Sequence, residues 1–92
     1  MSVLKKVILA DGTEYPGEAA AADSGNDLWV ELNSMSEKDL LEAFAKFRDR
    51  DATAEIKFYS LGEVRATFTG YVKMGGFYDL GDGKINIRMK KG

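Results

Sequence analysis

Neither histidine nor cysteine occurs in this 92-residue sequence. Imidazole and thiolate triads and dyads, disulfides and ordinary zinc ligation are therefore excluded. Any catalysis would have to come from carboxylates, lysine, tyrosine, serine or threonine. Fifteen acidic residues in so short a chain bring some carboxylates close together by number alone. None lies in a segment whose apolar surroundings would raise a pKa toward the working range of a general acid. The expectation is a protein that is not an enzyme, with no catalytic residue, no cofactor and no metal ligand.

Two segments imitate ligand motifs and fail in detail. Gly75-Gly76-Phe77-Tyr78-Asp79-Leu80-Gly81-Asp82-Gly83-Lys84 has the glycines and the lysine of a phosphate loop. That lysine must be followed by Ser or Thr at a helix start, whereas Lys84 precedes Ile85 in an alternating, strand-like run. Hairpin turns account for these glycines. Asp79, Asp82, Asp23 and Asp27 offer oxygens, but not at the alternating positions, closed by a glutamate, that a calcium loop needs.

A third group of residues points to recognition. Trp29, Tyr59, Tyr71 and Tyr78, interspersed with Arg65 and Lys73, form the candidate interaction surface. Trp, Tyr and Arg are the anchors that protein interfaces favour. Rings beside cations also suit stacking on single-stranded nucleic acid, yet a sequence pI near 5.1 lacks the basic footprint that dominates such binding.

The elements that must position these residues follow from periodicity. Val3 to Ala10 is a β-branched and aliphatic run ending at Asp11-Gly12, a dipeptide suited to a type I′ hairpin turn. In the return arm, Pro16 predicts an edge strand or a break, because proline cannot donate to a ladder. Leu28, Val30 and Leu32 share one strand face, and Trp29 and Glu31 the other. Ser34 with Glu37, or Ser36 with Asp39, caps a helix from Ser36 to about Arg50. Its apolar stripe is Leu40, Phe44 and Phe47, widened by Leu41 and Ala43.

Ala54, Ile56 and Phe58 then alternate as a half-buried strand. Val64, Ala66 and Phe68 begin another that is expected to run through Gly70 to Met74, with Gly70 at a bulge or a close backbone approach. Gly75-Gly76 punctuates, Gly81-Asp82-Gly83 turns, and Ile85, Ile87 and Met89 form the inward face of a last strand. The predicted class is α+β: a twisted antiparallel sheet or partly open β-barrel of about six strands, with one helix over 36–50 in the order β-β-β-α-β-β-β.

The length fits a single domain over residues 1–92. No apolar run approaches the roughly 20 residues of a membrane span, and the opening residues lack a signal peptide's apolar core, so a cytoplasmic protein with no membrane partner is expected. Residues 1–35 carry two lysines against six acids and residues 52–92 seven bases against four acids. Such a gradient polarises the surface unless strands from the two ends interleave.

The succession of Val7-Ile8-Leu9-Ala10-Asp11-Gly12-Thr13, Leu28-Trp29-Val30-Glu31-Leu32, Leu40-Leu41-Glu42-Ala43-Phe44 and Phe68-Thr69-Gly70-Tyr71 resembles small prophage-associated proteins of Gram-positive gut bacteria. The resemblance implies an accessory component of a tail or baseplate module. The expected function is thus a non-enzymatic structural, assembly or adaptor protein with protein partners or self-association. The alternative is a small binding module for single-stranded nucleic acid or another ligand.

Overall fold

The alternation of apolar and polar residues builds a sheet whose inner face is nearly continuous hydrocarbon. A computed structural model describes residues 4–92, so Val3, where the first apolar run begins, lies outside the described residues. The strands are β1 (Lys5–Leu9), β2 (Glu14–Ala22), β3 (Asp27–Leu32), β4 (Glu55–Ser60), β5 (Glu63–Thr69), β6 (Lys73–Gly81) and β7 (Lys84–Lys90). They form one open antiparallel sheet in the order β5-β4-β1-β2-β3-β7-β6. Val30 lies between Ala19 and Ile87, and Leu28 is paired with Met89. These rows, with Val7, Leu9 and Ile56, make the buried core. The class is α+β, as expected, but among the described residues the sheet is open and has seven strands rather than six, and the order β-β-β-α-β-β-β is corrected to three strands, two helices and four strands, with a 3-10 turn at Asp23–Gly25 between β2 and β3.

The strand order itself shows that the sheet coils. Edge strands β5 and β6 are joined by only Gly70–Val72, a link that reaches about 15 Å at most. In a flat seven-stranded sheet the edges would stand about 29 Å apart. The sheet must therefore curl until its two edges approach at that end, although no ladder among the described residues closes it.

Several local expectations are corrected. The strand predicted through Gly70 to Met74 breaks at Thr69, because Gly70 turns with φ +83° and Tyr71 folds into the core at 5% exposure. β6 then starts afresh, which supplies the extra strand. Gly75-Gly76 does not punctuate; β6 runs through it, with a register shift against β7 between Met74 and Gly76. Pro16 produces neither an edge nor a break, since β2 pairs with β1 up to Pro16 and with β3 from Gly17 onward. The Pro16 carbonyl accepts the Asn33 N–H at 2.8 Å. Only glycine fits at 17, where a Cβ would lie 2.0 Å from the Glu31 carbonyl oxygen. At the first hairpin only Gly12 has positive φ, Leu9 C=O accepts from Gly12 N–H, and Leu9 N–H donates to Thr13 C=O. That pattern is a type I turn with a glycine bulge rather than type I′.

Between β3 and β4 the chain forms α1 (Glu37–Lys46) and the single turn α2 (Arg50–Thr53). The helix predicted to reach Arg50 stops at Lys46, because Asp49 takes an extended conformation and its side chain caps the next turn by accepting the Asp51 N–H at 2.9 Å. At the start of α1, Ser36 and Asp39 form the reciprocal capping box, both bonds at 3.1 Å. No helix among the described residues is long and apolar enough to cross a membrane.

The charge gradient along the sequence is offset by strand order. β3 and β7 are neighbours, so Asp27 meets Lys90 at 3.6 Å and Arg88 at 3.9 Å.

Candidate interaction surface

The six sequence-predicted surface residues fall in three places. Trp29, Lys73 and Tyr78 share the outer face of β3, β7 and β6, as their cross-strand rows show. Trp29 is half-buried beneath the Arg88 guanidinium, 4.3 Å from its ring centroid, so part of its π-face is already occupied. Tyr78 is 50% exposed and leans over the Gly76 backbone, where a Cβ would fall 2.6 Å from the phenol oxygen. Lys73 is exposed at the start of β6.

Tyr59 and Arg65 belong to the opposite half of the sheet. Tyr59 is half-buried with the Lys6 ammonium 4.8 Å from its ring centre. Arg65 is the extra residue of a bulge on edge strand β5. It pairs with Glu63 at 2.8 Å and donates from Nε to the Ser60 carbonyl at 3.0 Å. Tyr71 is the clearest correction, because it lines no surface: its hydroxyl donates to the Gly25 carbonyl and its ring meets Phe68 edge-on at 6.3 Å. The six residues therefore do not converge on one site.

A different surface is contiguous. Ala43 on α1 and Phe47 at its C-cap are fully buried, and Phe47 lies 6.3 Å from the Tyr15 ring. Beside this buried stripe, Leu41 is 70% exposed and Phe44 39% exposed. Phe44 packs edge-on against Phe77 of β6, centroids 5.0 Å apart, and the Arg48 guanidinium lies 5.1 Å from its ring centre. Toward the helix start, Glu37, Leu40, Leu41 and Asp79 enclose a depression of about 310 Å³. Exposed apolar groups flanked by carboxylates at one end and a guanidinium at the other share the composition of protein-association surfaces.

Sequence reasoning placed Leu41 and Phe44 in the core. One signal pointed the other way: at 3.6 residues per turn, Leu40, Leu41, Ala43, Phe44 and Phe47 sweep an arc of about 160°, wider than the stripe of about 100° that one neighbouring layer covers.

Polar contacts fix the pose of α1 on the β1–β2 hairpin. Lys46 Nζ lies 2.6 Å from Asp11 Oδ2. That bond, helped by the Thr13 N–H, holds the Asp11 carboxyl down to about 2, and in return Asp11 raises the Lys46 pKa. Tyr15 donates its hydroxyl to Glu42 Oε1 at 2.9 Å; burial first, and then this bond to a carboxylate, raises its pKa. The Ser36 N–H lowers that of Asp39. Each of these groups positions the helix. Among the described residues no three acidic side chains gather as metal ligands would.

Comparisons of the chain with protein-family models, with curated proteins and with solved structures find no match.

Proposed function

We propose that this chain is a non-enzymatic assembly or adaptor domain that works by docking protein on the flank formed by α1 and β6. The observation that carries the reading is the exposure of Leu41 and Phe44 together, beside Ala43 and Phe47, which are fully buried. Large apolar groups left contiguous at a surface are maintained against solubility, and a partner that covers them recovers the burial energy. An accessory role in a tail or baseplate assembly is the setting that the sequence resemblance implies.

The nucleic-acid alternative draws less support from the geometry. Of the rings that motivated it, Tyr71 is buried and Trp29 is capped by Arg88, leaving Tyr78 as the one substantially open ring of the four.

Chromatography with light scattering tests the reading, using the purified chain alone and mixed with candidate tail and baseplate proteins. A complex that forms with the native chain and is lost on Leu41→Glu is the expected result. Failure of every mixture to form a complex at about 0.5 mM, a concentration at which even weak interfaces associate, together with a strictly monomeric chain, would sink it.

A further inference from the structure

The flank of α1 carries a pattern that selects its own partner. Glu37, Leu41, Phe44 and Arg48 follow one another at spacings of four, three and four residues. At 3.6 residues per turn Glu37, Leu41 and Phe44 fall within about 60° of one another on α1, and Arg48, in the turn just past the helix end, continues the row with its guanidinium 5.1 Å from the Phe44 ring centre. This is the spacing of a helix-packing seam. All four are exposed, and neither Glu37 nor Arg48 has an ion-pair partner among the described residues.

The row reads acid, apolar, apolar, base. Turned end over end, it complements itself. A two-fold axis midway between residues 42 and 43 would set Glu37 of each copy opposite Arg48 of the other, and Leu41 of each opposite Phe44 of the other. A parallel alignment would instead stack Glu37 on Glu37 and Arg48 on Arg48. Antiparallel pairing satisfies both charges and covers both apolar residues, as an isologous interface requires. Ala45, small and exposed beside the row, allows the helix backbones to approach.

We infer that the partner docked on this flank is a second copy of the chain, held by antiparallel α1 helices through Leu41–Phe44 and Glu37–Arg48 contacts across a two-fold axis. This inference rests on the proposed assembly function and names its partner.

Sedimentation velocity of the chain alone, from about 10 µM to about 1 mM, tests it, because an interface this small gives a weak, reversible dimer. A concentration-dependent monomer–dimer equilibrium is expected, abolished by Leu41→Glu. The Glu37→Arg and Arg48→Glu single variants each oppose like charges twice per dimer and should weaken association about fivefold or more. Combining the two reversals exchanges the ends of the row and should bring association back to within about twofold of the native chain. Circular dichroism confirms that each variant is folded, so loss of association is not loss of structure. A chain that stays monomeric to about 1 mM, or a dimer indifferent to Leu41→Glu and to the single reversals, overturns the inference. The assembly reading would survive a monomeric result if the mixtures with other structural proteins still formed complexes, so the two failures can be told apart.

Discussion

Phe44 and Phe47 stand less than a turn apart on one helical segment and meet opposite environments. Phe47 is fully buried beside Tyr15, while Phe44 remains 39% exposed at the margin of β6. Leu40 and Leu41 repeat the contrast, one packed against the core and one 70% exposed. The side-chain types are the same, so the transfer energy available to each pair is the same, about 2 to 3 kcal/mol for complete burial. What differs is the layer opposite. The coiled sheet lies under one face of α1, while on the flank beyond it only Phe77 and Arg48 touch Phe44 and leave it partly open. Apolar character fixes how much a residue gains when covered; topology decides whether its own chain covers it.

That contrast is testable in the folded monomer. Phe47→Ala should lower the unfolding free energy by about 3–5 kcal/mol in urea melts followed by circular dichroism, because it empties a site the surroundings cannot refill. A loss under 1 kcal/mol would mean that the sealed face is not sealed. Tyr15→Phe removes the hydroxyl bonded to Glu42 and should cost about 1 kcal/mol.

The same substitution carries a pH signature. The Tyr15 pKa is raised in the folded chain above the ordinary 10.0, so its share of stability is complete below pH 10 and declines as pH rises beyond it. In Tyr15→Phe that alkaline decline should be shallower, as read from melts across the range.

On the flank, Leu41→Ser at concentrations where the chain is monomeric should change stability by no more than about 0.5 kcal/mol. A large destabilisation there would show that the residue belongs to the core after all. The smallest effect is expected from Asp11, which lies at the exposed tip of the first hairpin. Its folded-state value of about 2 lies below the ordinary 3.8, so its contribution is present above about pH 4 and fades as pH falls toward 2. Asp11→Asn should flatten this part of the acid limb of a stability-versus-pH curve, and salt should blunt the difference.

Local signals in the sequence were sufficient where neighbours along the chain determine the outcome. The alternation in Leu28–Leu32 and in Ile85–Met89 correctly gave the buried faces of β3 and β7, and the Ser36–Asp39 pair was one of two caps offered for α1. Legibility failed where distant chain decides. Gly70 followed by Tyr71 reads as a strand with a bulge until the Gly25 carbonyl is there to receive the phenol, and then it is a turn. Gly75-Gly76 reads as a stop, but β7 on one side keeps it in the ladder. Pro16 reads as an edge because its missing N–H is local information, whereas the change of partner from β1 to β3 at Gly17 depends on the bend of the sheet.

The interaction surface failed for a related reason. Period-two alternation correctly put Trp29 on the face away from the core, but could not say that Arg88 would cover its ring. Composition brought Tyr59, Arg65 and Tyr78 together on paper, and strand order placed them on opposite halves of the sheet. The exposed pair Leu41 and Phe44 was present in the sequence as part of an over-wide apolar arc. It becomes a surface only once the position of β6 shows which part of that arc remains uncovered.

The most direct test is an isotope-filtered nuclear Overhauser measurement on an equal mixture of labelled and unlabelled chains at about 1 mM, where a weak dimer is substantially populated. Antiparallel pairing of α1 predicts cross-peaks between the Leu41 methyl groups of one copy and the Phe44 ring of the other, vanishing on dilution. Intermolecular cross-peaks confined to other elements, such as the β5 edge, or none at all, would contradict it.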